Sequence, residues 1–123
     1  MHTSINAGEQ TVARKLIRAL LDRGFRVSVF GDGESDLWKS TDFKAIWDAT
    51  GETGETDFRV YADTRFVGVV TLIWGNSPHE LIADWADVVG STDLTDLIEP
   101  IRAATPDPYA TSRMERNIST GLL

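Results

Sequence analysis

The chain of 123 residues contains no cysteine, which excludes a disulfide framework, a thiolate nucleophile and thiolate metal ligands. Histidine is nearly as scarce. Only His2 and His79 are present, so there is no late Asp-x-x-His to activate a serine. No apolar run approaches the roughly 18 residues of a membrane-spanning helix, and MHTSINAGEQ lacks the apolar region of a signal peptide. The expectation is a cytoplasmic protein. Basic residues are outnumbered 12 to 19, for a net charge of −7. That balance disfavours nonspecific contact with a phosphate backbone as the main role, and no direct nucleic-acid binding is expected from it.

What is present fits one ordinary globular domain: 41% hydrophobic and 25% charged residues leave no case for a disordered, collagenous or coiled-coil chain. The charge is unevenly placed. Residues 1–26 carry five basic and two acidic side chains, and residues 27–100 carry four and fifteen. The acidic middle either faces a basic partner or simply solvates the domain.

Val12, Ala13, Leu16, Ile17, Leu20 and Leu21 recur at helical spacing over residues 9–23, and Gly24 supplies a stop. Val27 and Val29 alternate into GDGES, and residues 36–40 return with Trp38, which reads as a hairpin. Ser40-Thr41-Asp42 offers cap residues to a short helix holding Phe43, Ile46 and Trp47. Past the polar GETGET, residues 58–61 suggest a strand. Residues 66–74, nearly all apolar, suggest the central strand, buried on both faces. Residues 77–89 fit a helix by spacing, with Pro78 at its first position, although Leu81, Ala83 and Trp85 also alternate as in an edge strand. A second Ser-Thr-Asp at 91–93 starts a closing helix that Pro100 should bend or restart. The whole reads as an α+β domain over 1–104: an N-terminal helix, an antiparallel meander of four or five strands, an inserted short helix and a C-terminal helix. Residues 105–123 read as a loose tail.

Motifs for chemistry are weak. Strand-Gly-Asp-Gly, ending at Gly33, resembles the first block of lipase-like esterases, but glycine stands where their nucleophile would be, and no phosphate-loop lysine follows. His79 with Glu80, Asp84 and Asp87 lacks the convergent spacing of an ion site, so no metal and no cofactor are expected. Asp32, Asp36, His79 and Asp84 remain the residues a small hydrolase or metal-dependent enzyme would use. Among the four tryptophans, Trp38 or Trp85 is the expected partly exposed anchor. Glu34, Asp36, Asp84 and Asp87 are read as surface carboxylates, removable without cost to stability. With Trp38 and Trp85 they form the candidate partner-binding set.

Gly68-Val69-Val70-Thr71-Leu72-Ile73-Trp74-Gly75-Asn76, followed by Glu80-Leu81-Ile82-Ala83-Asp84-Trp85, resembles a group of small phage- and prophage-encoded proteins of unknown function. Their pattern is Gly-Trp-Val, a short apolar strand ending in aromatic-Gly-Asn, then Ile-x-Asp-aromatic. The similarity spans about residues 26–100 and departs at Val69, where an aromatic is usual, and in the long N-terminal helix and the tail. It brings residues 80–86 to parity between helix and strand, and it implies a mobile-element origin with no catalytic residues to transfer. Acidity, the missing catalytic set and this resemblance together lead to a non-enzymatic protein-binding module. An inhibitor of a host defence complex, of the anti-CRISPR or anti-restriction kind, would be one example. A homodimeric assembly protein using a free sheet edge is the remaining alternative.

Overall fold

A computed structural model describes residues 7–31, 34–50 and 54–105 of the chain. The elements run α1 (Ala7–Asp22), β1 (Arg26–Gly31), β2 (Glu34–Ser40), α2 (Phe43–Ala49), β3 (Glu55–Ala62), β4 (Arg65–Ile73), a single 3₁₀ turn (Pro78–Glu80), β5 (Ile82–Asp87) and α3 (Asp93–Ala104). The strands form one antiparallel sheet in the order β2-β1-β3-β4-β5. This is the expected α+β class, with the expected hairpin at β1–β2 and the short helix after it. The tail beyond residue 105 lies outside the described residues.

Each helix follows from its sequence. On α1, the stripe Val12, Ala13, Leu16, Ile17 and Leu20 is buried. The Gly24 N–H bonds the Leu21 carbonyl, and φ is +81° at Gly24, a left-handed stop that glycine reaches without a Cβ penalty. The Asp42 carboxylate accepts from the Lys44 N–H at 3.1 Å and caps α2. α3 runs unbroken through Pro100, which is exposed.

Val27, Val29, Phe58, Val60, Val70 and Leu72 point from the sheet into one core with α1, Ile46 of α2, and Leu94 and Ile98 of α3. Cross-strand register confirms the shared face, since Val29 pairs with Phe58 and Phe58 with Val70. Glu9, buried on α1, accepts the Gly75 N–H at 3.0 Å and ties that helix to the connection after β4.

One sequence expectation is corrected, and the choice left open between helix and strand at residues 80–86 is resolved as strand. The central strand is β3, and β4 is one in from the edge. It is not buried on both faces, because Val67, Val70 and Leu72 are buried while Phe66 is 41% exposed and Val69, Thr71 and Ile73 are half-buried. Residues 77–89 form no helix. Pro78 starts one turn, and the chain then pairs with β4, Leu72 against Ile82 and Val70 against Trp85. A helix there would leave the outer N–H and C=O groups of β4 without their ladder.

Candidate functional site

Among the described residues the helices pack on one face of the sheet, so the opposite face is where an uncommitted side chain can gather. Three aromatic rings on neighbouring strands do so. Trp38 of β2 lies 6.1 Å from Tyr61 of β3, and Tyr61 lies 5.5 Å from Phe66 of β4, centroid to centroid. Trp38 is 60% exposed and Phe66 41%. For rings of this size in a domain whose other large apolar side chains are mostly buried, that is a surface held open.

A β-bulge places the first ring. Val27 pairs with Ser40 and Val29 with Leu37, so Trp38 and Lys39 together oppose the single residue Ser28. Lys39 takes φ 44°, left-handed for a residue with a Cβ. Its N–H donates to Oγ of the buried Ser28 at 2.8 Å, which holds the bulge closed. Lys39 Nζ then sits 4.5 Å from the Tyr61 ring centre and 5.5 Å from that of Trp38. On the same face the Arg59 guanidinium lies 4.3 Å from the Phe30 ring, and Arg26, paired with Tyr61 in the register, reaches Asp63 at 4.0 Å. The rings are thus interleaved with cations. The nearby Asp57 accepts a 2.7 Å bond from Thr71.

The sequence candidates separate. Of the two candidate tryptophans, Trp38 is the exposed one. Trp85 is half-buried on the helix side, donating from Nε1 to Thr95 Oγ1 at 3.0 Å with Arg102 5.4 Å from its ring centre. The Asp87 carboxylate accepts from the Leu94 N–H at 2.7 Å, the Thr95 N–H at 3.1 Å and the Thr95 hydroxyl at 2.7 Å. It therefore closes the first turn of α3 and is no free surface charge, which corrects the expectation that it can be removed without cost. Asp84 is exposed on the open face, opposite Thr71. Glu34 and Asp36 lie in β2, and their side chains fall outside the described residues, as does Asp32.

His79 gathers with Ser77, whose Oγ lies 2.9 Å from Nδ1 and also donates to Glu80 at 3.0 Å. In a hydrolytic triad the carboxylate holds the far ring nitrogen and leaves the hydroxyl to the near one. Here Glu80 Oε1 accepts from the Ser77 hydroxyl directly and stands 3.8 Å from His79 Nε2, so all three side chains close one turn, Pro78–Glu80. Among the described residues no group of three His, Asp or Glu side chains is arranged to hold a metal ion. No helix among them is long and apolar enough to cross a membrane.

No family model matches the chain, nor does any curated protein or solved structure.

The aromatic face had one sequence signal. Residues 66–74 are too apolar for a strand covered on one side only. A strand that is apolar on both faces and covered on one leaves the second face to find a partner.

Proposed function

We propose that the protein is a non-enzymatic binding module that seats its partner on the uncovered face of the sheet. The observation that carries this reading is the row of rings Trp38, Tyr61 and Phe66, the outer two exposed and Tyr61 half-buried between them, with Trp38 set by a strained bulge. Aromatic anchors of this kind dominate the energy of interfaces, and backbone strain persists where function maintains it. Pairing of a second copy along a sheet edge is less favoured. β2 is broken by register shifts, and β5 is only six residues long and carries the exposed Asp84, both devices that blunt an edge. The resemblance to phage-encoded proteins supports a partner in a host cell that is bound and blocked.

The test is retention of bound macromolecules by the immobilised full chain and its variants. The double substitution Trp38→Ala with Phe66→Ala should release the partner, and Asp84→Lys should keep it. The reverse pattern would move the site to the acidic surface and a basic partner.

A further inference from the structure

We propose that the ligand of this face is single-stranded nucleic acid, its bases laid on Trp38, Tyr61 and Phe66 and its phosphates met by Lys39, Arg59 and Arg26. The inference rests on the binding reading above and deepens it. Sequence-tolerant binding of single strands uses rings as stacking platforms and a cationic track for the backbone, because every base offers a π-face and every nucleotide one negative charge. Both parts are present and interleaved here. The rings step across three adjacent strands at 6.1 and 5.5 Å. Lys39 lies over two of them, and Arg59 lies over Phe30 on the same face.

The net charge of −7 does not decide the matter at this range. Exposed charges beyond about 8 Å are screened at physiological ionic strength, so contact is governed by the local set. Of the four basic residues between 27 and 100, two are on this face, and Arg26 joins them from the strand start. Carboxylates of this face include Asp57, which accepts from Thr71, Asp63, 4.0 Å from Arg26, and the exposed Asp84, and Lys39 and Arg59 form an ion pair with none of these three. A five-stranded sheet face with rings standing on it is too broad to enter a duplex groove, which favours the single strand. An acidic peptide would use the cations and leave the rings without a role.

The rival basic patch, Arg14, Lys15 and Arg18 on α1, has its aromatic neighbours Phe43 and Trp47 half-buried, with Arg18 and Arg14 lying over them. It has no ring as exposed as Trp38 or Phe66.

The experiment measures binding of labelled oligothymidylate and oligouridylate of about a dozen nucleotides to the full chain by anisotropy. Duplex DNA and polyglutamate serve as competitors. Single strands should bind, and neither competitor should displace them at equal charge. The affinity should fall with salt along a log–log slope near −2, from three neutralised phosphates at about −0.7 each. Trp38→Ala should weaken binding about tenfold at unchanged slope, the lower part of the range for one lost stacking partner. Lys39→Gln should make the slope shallower by about 0.7. Trp38 is exposed, so its replacement leaves the fold intact, and a thermal melt verifies this. Absence of oligonucleotide binding at low salt, equal displacement by polyglutamate, or affinity indifferent to Trp38 would each overturn the proposal. If oligonucleotides fail while the Trp38 and Phe66 substitutions still release a captured protein, the nucleic-acid assignment falls and the binding face stands. If those substitutions change neither, both fall.

Discussion

Replacing Asp87 tests whether a side chain on a strand serves as the cap of a helix that begins six residues later. The first four N–H groups of any α-helix lack intrahelical acceptors, and at α3 three of them are met by side chains. Asp93 N–H goes to Ser91 Oγ and Leu94 and Thr95 to the two Asp87 oxygens, after which Asp96 N–H makes the first i→i−4 bond, to the Thr92 carbonyl. Asp87 thus answers two of the four, and it also takes the Thr95 hydroxyl, which in turn receives the Trp85 indole. Losing one capping side chain costs about 1 kcal/mol and up to about 2, and a negative charge at the positive end of the helix adds about 0.3–1 kcal/mol. Asp87→Ala should therefore cost about 2–3 kcal/mol. At about 4 °C per kcal/mol for a domain of this size, the melting temperature should fall by about 10 °C. Asp87→Asn keeps an acceptor without the charge and should lose about half as much. Asp84→Ala, an exposed neighbour on the opposite face, should stay within about 0.5 kcal/mol of the parent. Urea and thermal denaturation of the three variants decide it. An Asp87→Ala protein as stable as the parent, or an equal loss from Asp84→Ala, would refute the capping role.

Gly68→Ala should destabilise by about 1–3 kcal/mol as an overpacked site, since a Cβ there would meet the Ala86 carbonyl oxygen and Leu94 Cδ1 at 2.6 Å. A melt unchanged from the parent would contradict that packing. Val70→Asp puts an unpaired charge among Phe58, Trp85 and the core and should abolish the cooperative transition seen by circular dichroism. Retention of that transition would refute the core placement. Lys39→Gly should remove left-handed strain and leave stability level or raised by up to about 1 kcal/mol, while weakening whatever binds the open face. A loss of more than about 1 kcal/mol would mean that Lys39 packing outweighs its backbone cost.

Local signals were legible wherever one rule acted alone. The stripe of α1 with its glycine stop, the Asp42 cap of α2 and the β1–β2 hairpin all stand where spacing and cap chemistry put them. Alternatives stayed open, or a role stayed hidden, where a residue answers to a distant partner. Pro78 and Glu80 do open a helical turn, but the edge of β4 claims Ile82–Asp87 as a strand, a tertiary demand that outweighs local spacing. The role of Asp87 was hidden because its helix lies on another element. Nothing in an isolated Asp-Val-Val distinguishes a capping carboxylate from a solvated one.

The open face was illegible for a further reason, which is parity. Inward and outward positions alternate along a strand only while every residue has one opposite number, and each bulge exchanges the two sets beyond it. Three strands break the count here: β2 twice, at Trp38 and Lys39 and again at residue 36, β4 at Val67 between the Phe66 and Gly68 pairs, and β5 at Ala83 between the Ile82 and Asp84 pairs. The β2 bulge brings Trp38 and Lys39 together over Tyr61. The β4 bulge buries Val67 and leaves Phe66 facing Tyr61 from the other side. Without those two offsets a regular alternation would not assemble the same three rings. The two insertions that spoil the sequence pattern are therefore the ones that build the surface. Each bulge costs ladder hydrogen bonds; the β4 bulge places Val67 in the core, whereas the β2 bulge at Lys39 adds a strained lysine, and together they leave Trp38 and Phe66 exposed on the open face.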